Sequence, residues 1–168
     1  MTENRQVSAL ALAAAAVAAF GAFGGRADAQ TIGQPQRFGS HYQQFATNSC
    51  DTSDSTPCTV AFSTMTRGPL KVMKASCTIL TSEGGSPSKE VTGAVLGRLS
   101  DNQKNFIAGQ YLAPMQSEFA GPGQIVLNFL VDTLWVIPNN WRPAIQISRL
   151  NAPPVAASCS VSGEELEN

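Results

Sequence analysis

The sequence carries little charge, and neither sign is in excess. Its 168 residues hold 11 Lys and Arg against 12 Asp and Glu, so the formal net charge is -1 and charged residues make up 14% of the chain. Soluble proteins average roughly 25% charged residues. Because no basic excess is available to concentrate a polyanion, we expect no nucleic-acid binding.

Histidine is also scarce, and the sequence lacks the motifs of common catalytic, nucleotide-binding and metal-binding sites. The chain has one His, His41, and no Gly-x-Ser-x-Gly motif, which argues against nucleophilic catalysis with a His base. It has no Gly-rich phosphate loop, and its Cys residues lack the spacing of zinc ligands, so we expect no cofactor and no metal site. Asp51–Ser55 offers several oxygen ligands but lacks the Gly and Glu of a calcium-binding EF-hand loop, and a solvated loop is expected there.

The N-terminus has the pattern of a secretory signal peptide. Residues 1–29 combine a polar start, an Ala-rich apolar run over 9–23, and Ala27-Asp28-Ala29 before Gln30. We predict cleavage after Ala29, because small side chains fit the peptidase. The apolar run is short and weakly hydrophobic for an uncleaved anchor, and no comparable run follows it. The mature protein is therefore expected to be secreted or periplasmic, with no membrane span.

The four cysteines, Cys50, Cys58, Cys77 and Cys159, are an even number in a chain expected to leave the cytoplasm. Disulfides are the default in that compartment. Three pairings are possible, and the most economical joins Cys50 to Cys58 and Cys77 to Cys159. The first closes a short polar loop; the second ties an early strand to the last one and is worth about 4 kcal/mol in the chain-entropy model.

Residues 30–57 are polar and show no sustained apolar alternation, so they are interpreted as an arm or linker. Phe38, Tyr42 and Phe45 recur in it at helical spacing. This spacing predicts one or two helical turns that lay three rings against the domain, and an arm packed along a sheet edge is an equal alternative.

Residues 58–163 show the alternation of half-buried strands, interrupted by Gly and Pro, and residues 164–168 form an acidic tail. Seven or eight strands without an amphipathic helix predict an all-β fold. The expected architecture is an antiparallel β-sandwich, with a jelly roll as one form and a small closed barrel as the rival. The predicted strands are Cys58–Thr66, Leu70–Thr81, Val91–Leu99, Asn105–Leu112, Ile125–Ile137, Ala144–Arg149 and Val155–Val161.

One turn carries the residue types of a recognition site. Asn139, Asn140, Trp141 and Arg142 lie between two predicted strands. Loops at the ends of β-sandwiches often carry binding, Trp and Arg are enriched at interface hot spots, and amides can bond sugar hydroxyls. These four residues are the predicted ligand-binding residues. The structural alternative is that Trp141 folds back and caps the core.

Paired carboxylates could serve glycoside hydrolysis without a His. Asp132 interrupts the most apolar segment, where an ionised group is costly unless it is paired. It would need Glu90 or Glu118 as the second acid. The structural alternative is that Asp132 marks a strand bend or pairs with Arg142 or Arg149.

The sequence therefore predicts no catalytic residue with enough support to name, and favours non-catalytic recognition of a glycan, an envelope component or a protein partner. A carboxylate-based hydrolase of envelope polysaccharide is the alternative function. Subunit assembly by strand exchange through the polar arm is a third hypothesis.

Overall fold

The computed structural model describes residues 30–51, 57–82, 91–100, 105–121, 124–150 and 155–167. These residues form ten strands and contain no helix. The predicted all-β class is confirmed. The strands are β1 (Thr31–Ile32), β2 (Gln36–Phe38), β3 (His41–Cys50), β4 (Cys58–Ala61), β5 (Leu70–Ser82), β6 (Val91–Leu99), β7 (Phe106–Gly121), β8 (Gln124–Ile137), β9 (Arg142–Arg149) and β10 (Val155–Glu165).

All ten strands belong to one antiparallel sheet. Its order is β1-β3-β10-β5-β8-β7-β6-β9-β4, and β2 pairs with β3 beside β1. β7 links the two halves of this sheet, because residues 106–112 pair with β6 and residues 113–121 pair with β8. The expected sandwich of two separate sheets is thus replaced by one continuous, strongly bent sheet, and the strand number is ten rather than seven or eight.

The sheet closes almost into a barrel where β3 meets β4. Asn48 on β3 donates a hydrogen bond from Nδ2 to the backbone oxygen of Thr59 on β4 (2.8 Å). The Cys50–Cys58 disulfide joins the same two strands, with a Cα–Cα distance of 5.7 Å. Side chains and a covalent bond, rather than a backbone ladder, therefore hold this seam, which we call the β3/β4 seam.

The core lies between the two halves of the sheet. Alternate residues of β10 are buried, as the pleat of a half-buried strand requires. The larger members of the main buried cluster come from both halves of the sheet, and they are Tyr42, Val60, Phe62, Met65, Leu70, Val72, Ile79, Val91, Leu96, Leu112, Phe129, Ile137, Ile145, Ile147, Val155 and Val161.

The segment interpreted as a polar arm is part of the sheet. β3 pairs with β10 over ten positions, from Cys50 opposite Val155 to His41 opposite Glu164. The helical interpretation of its aromatic spacing is wrong, because Tyr42 points into the core and Phe45 is 51% exposed. A strand places residues an odd number of positions apart on opposite faces.

The last strand also runs further than predicted. β10 includes Glu164 and Glu165, which were assigned to the acidic tail. The single N–H of Arg37 Nε is shared between the two carboxylate oxygens of Glu165, at 2.9 and 3.0 Å, and a carboxylate oxygen of Glu164 lies 3.7 Å from Lys71 Nζ. Ion pairs therefore fix the start of this tail to β2 and β5.

Both predicted disulfides are confirmed. Cys77 and Cys159 are directly opposite each other on β5 and β10, with a Cα–Cα distance of 4.1 Å. Two disulfides are compatible with an oxidising, extracellular environment. The predicted signal peptide, residues 1–29, lies outside the described residues. Within the described part of the chain, no helix is long and apolar enough to cross a membrane.

Candidate recognition site

The turn between β8 and β9 is held by backbone hydrogen bonds to the β4–β5 connection. Asn140 N donates to the oxygen of Met65 (2.8 Å), and Met65 N donates to the oxygen of Trp141 (2.9 Å). Trp141 N also donates to the oxygen of Pro138 within the turn (3.2 Å). The turn therefore has a defined geometry before any ligand arrives, which lowers the entropic cost of binding.

The two asparagines give the turn its shape. Asn140 adopts a left-handed backbone conformation, with φ of 63°, and Asn is one of the few residues that tolerates this region. Asn139 Oδ1 accepts a hydrogen bond from Asn140 N (3.1 Å). The side chain of Asn139 thus stabilises the turn, while the exposed Asn140 side chain lies at its surface.

Trp141 is half-buried and packs against the main core cluster. The guanidinium carbon of Arg98 lies 4.9 Å from the centroid of its ring. This distance is typical of a cation–π interaction. Because an arginine occupies a face of the indole, the structure favours the capping role for Trp141 over direct stacking on a sugar.

Arg98, on β6, is the site residue that the sequence analysis missed. It is partly buried, and its Nε atom is inaccessible and has no hydrogen-bond partner among the described residues. Within the described ranges, no carboxylate lies within salt-bridge distance of this guanidinium. The sequence does carry a signal, since Arg98 is the only charged residue of the largely apolar strand Val91–Leu99.

Arg142 does not lie on the face of the sheet that carries Arg98 and Trp141. Arg98 is opposite Pro143, and Leu99 is opposite Arg142. Because successive residues of a strand alternate between faces, Arg98 and Arg142 project to opposite sides of the sheet. The predicted quartet of Asn139, Asn140, Trp141 and Arg142 is therefore split, because Trp141 contacts Arg98 while Arg142 projects from the other face of the sheet.

The arrangement suits the recognition of an anion. A guanidinium offers up to five N–H donors in a planar fork that matches carboxylate and phosphate oxygens. Stacking on Trp141 restricts the Arg98 side chain, so less conformational entropy is lost when a ligand binds. These side chains supply hydrogen-bond donors and positive charge, with no general base among them.

The acidic residues singled out for hydrolysis are not brought together. Asp132 is exposed on β8, and its cross-strand neighbour is Lys74 rather than Arg142 or Arg149. Glu118 is opposite Val126, six residues from Asp132 along β8. At about 3.3 Å per residue this puts their Cα atoms about 20 Å apart, while glycosidase carboxylates lie within about 10 Å of each other. Glu90 lies outside the described residues.

The remaining sequence candidates are His41 and the Asp51–Ser55 loop. His41 is exposed at the start of β3. Residues 52–55 of the loop lie outside the described residues. In the described ranges, no three His, Cys, Asp or Glu side chains cluster closely enough to hold a metal ion.

Comparison with protein-family models, with curated proteins and with solved structures found no match to this chain.

Proposed function

We propose that the mature chain is a non-catalytic recognition domain of the periplasm or the cell exterior, and that it binds an acidic glycan of the cell envelope. Its binding site is the end of the sheet formed by Arg98, Trp141 and the Asn139–Asn140 turn. The observation that carries the proposal is the Arg98 guanidinium, stacked 4.9 Å from the Trp141 ring with no carboxylate partner among the described residues.

The placement of Arg98 supports a ligand more than a purely structural role. Desolvating an arginine is costly unless its charge is paired, and the cation–π contact with Trp141 offsets only about 1–2 kcal/mol of that cost. A carboxylate or phosphate would supply the ion-pair partner that Arg98 lacks among the described residues. Asn140 directly precedes Trp141 and its side chain is exposed, so its amide is available to bond the hydroxyls of a sugar that carries this acidic group.

The proposed location rests on two independent features. The N-terminal 29 residues have the signal-peptide pattern, and both disulfides form between neighbouring strands. Stable disulfides belong to oxidising compartments, and small domains use them to supplement a modest core. A domain built in this way is suited to work outside the cytoplasm.

The experiment that tests the function is calorimetric titration with a uronic-acid oligosaccharide and with its carboxyl-reduced, neutral counterpart. We expect binding of the acidic sugar only, and weaker binding as salt increases. Arg98→Gln should weaken binding at least tenfold, because a charge-assisted hydrogen bond contributes about 1.5–3 kcal/mol.

Lys74→Gln is the matched control, because it removes the same charge from an exposed position on β5. It should leave the affinity within about twofold of the parent. Equal affinity for the acidic and the neutral sugar, or equal losses in the two variants, would contradict the proposal.

A further inference from the structure

Arg98 lies between two apolar side chains in a row that crosses three strands. Its cross-strand neighbours are Ile107 on β7 and Pro143 on β9. Directly opposite residues of an antiparallel pair share a face, with Cβ atoms about 4.5–5.5 Å apart. Pro143 is buried and Ile107 is 40% exposed. The stem of Arg98 is therefore flanked by apolar surface on both sides, and the accessible part of that surface belongs to Ile107.

Aromatic side chains extend these apolar surroundings. The Arg98 guanidinium lies against the ring of Trp141, at 4.9 Å from its centroid. Gly109 is two residues from Ile107 along β7, and a Cβ atom built there would lie 2.6 Å from two atoms of the Trp135 ring. Both indoles are half-buried and pack against the main core. Ile107 thus belongs to a group of apolar side chains around Arg98, unlike the single exposed apolar residues that most surfaces carry.

A ligand can reach only the terminal donors of Arg98. The Nε atom is inaccessible, so a bidentate carboxylate has to bond the two Nη atoms. Such bonds are about 2.7–2.9 Å long. The carbon that carries the carboxylate is then held close to the guanidinium, and a substituent on its β7 side faces the Ile107 side chain.

A hydroxyl and a methyl group differ in what they lose and gain beside Ile107. A hydroxyl gives up water there and finds no hydrogen-bond partner on an isoleucine, which is unfavourable. A methyl group gives up no hydrogen bond, and the burial of one such group raises the affinity about fourfold. Both effects favour a ligand with a methyl group next to its carboxylate.

We propose that Ile107 is a specificity-determining residue of the acidic-glycan site, and that the site selects sugars whose carboxylate is carried by a methyl-substituted carbon, as in a lactyl ether. In a uronic acid, the corresponding carbon is part of the ring and is flanked by the ring oxygen and an oxygen-bearing carbon. The inference rests on the proposed function, because Arg98 has to bind the carboxylate before Ile107 can discriminate.

Calorimetric titration with N-acetylmuramic acid and with its carboxymethyl ether analogue tests this inference. The two sugars carry the same charge and the same ring, and the analogue lacks only the methyl group of the lactyl ether. We expect the parent protein to bind the methyl-bearing sugar about fourfold more tightly, from the burial of one methyl group.

Ile107→Thr should abolish this preference, because it replaces the apolar contact with a hydroxyl and keeps the β-branched shape that a strand favours. Ile32→Thr is the matched control, since it makes the same change at a residue that is 36% exposed on β1, and it should keep the preference. The readout is a ratio of two affinities on one sample, so it does not depend on how much of a variant folds.

Equal affinity of the parent for the two sugars would overturn the inference, and so would a preference that survives Ile107→Thr. In either case, binding that is lost in Arg98→Gln leaves the proposed function standing. If the parent binds neither sugar, the inference is wrong, and the titration with the uronic-acid oligosaccharide decides the proposed function separately.

Discussion

Gln44 is the polar residue on which the closure of the sheet depends most. It is fully buried on β3, and its side chain makes four hydrogen bonds. Oε1 accepts from the hydroxyl of Tyr42 (2.6 Å) and from Ser63 N (2.9 Å). Nε2 donates to the oxygen of Gly33 and to Ser63 Oγ, each at 2.6 Å. The Gln44 amide thus joins β3 to Gly33, which precedes the strand, and to Ser63, which follows β4.

Replacing Gln44 with Leu keeps the side chain close in size and removes all four bonds. Gly33 O, Ser63 N and the Tyr42 hydroxyl then lose a partner in a place with little access to water. Each such loss costs about 1–3 kcal/mol. Allowing for local relaxation, we expect Gln44→Leu to lower the free energy of unfolding by about 3–6 kcal/mol, a large part of the total of a domain of this size.

Tyr42→Phe provides the internal comparison. It removes one donor, but Gln44 Oε1 keeps its bond from Ser63 N. The expected cost is about 1 kcal/mol, typical of a single hydrogen bond with no partner stranded.

Urea denaturation with the disulfides intact measures both variants against the parent, and Gln43→Leu, at the exposed neighbouring position, controls for the residue change. If Gln44→Leu costs no more than Tyr42→Phe, the network does not hold the seam and the reasoning is wrong.

Three further predictions concern stability. Replacing Cys77 and Cys159 with Ala should lower the free energy of unfolding, measured by urea denaturation, by about 4–5 kcal/mol. Loss of the short-loop disulfide should lower it by only about 2–3 kcal/mol, because Cys77 and Cys159 are 82 residues apart and close a longer loop. Gly163→Ala should lower the free energy of unfolding by about 1–3 kcal/mol, since the new Cβ would overlap a backbone carbonyl of β5. Gly93→Ala places its Cβ in open space and should be near neutral, so equal melting temperatures of the two variants would contradict this prediction. Burial raises the pKa of Tyr42. The unfolded chain therefore releases that proton first, so stability should fall as pH rises above about 10, by up to about 1.4 kcal/mol per pH unit, and a pH series on Tyr42→Phe should lack this contribution.

The strands of the second half of the chain were predictable because their pattern is local. The predicted strand Val91–Leu99 is the one observed. β7, predicted to end at Leu112, runs on to Gly121 through Pro114. The strand can continue through Pro114 because this residue lies next to a bulge in the ladder, where a missing backbone donor is tolerated.

β3 was missed because its buried face is partly polar. Tyr42, Gln44 and Ala46 alternate correctly, but a glutamine in the middle of the pattern argues for a surface strand or a linker. Beside the Tyr42 hydroxyl, the partners supplied by Gly33 and Ser63 make its burial acceptable. Gly33 and Ser63 are 11 and 19 residues from Gln44, so no local sequence window contains both of them.

Only the local part of the candidate site could be predicted from the sequence. Asn139, Asn140 and Trp141 are contiguous, and their turn is a local feature. Arg98 reaches Trp141 only because β6 pairs with β9. The face of each arginine also depends on strand register, which a sequence pattern sets only where apolar and polar residues alternate strictly.

The β3/β4 seam shows what the bent sheet uses in place of a backbone ladder. At this seam a disulfide, the Asn48–Thr59 bond and the Gln44 network join the two strands and the segments beside them. Because all of these contacts lie within one chain, a mutation at Gln44 should lower the free energy of unfolding by the same amount at every protein concentration.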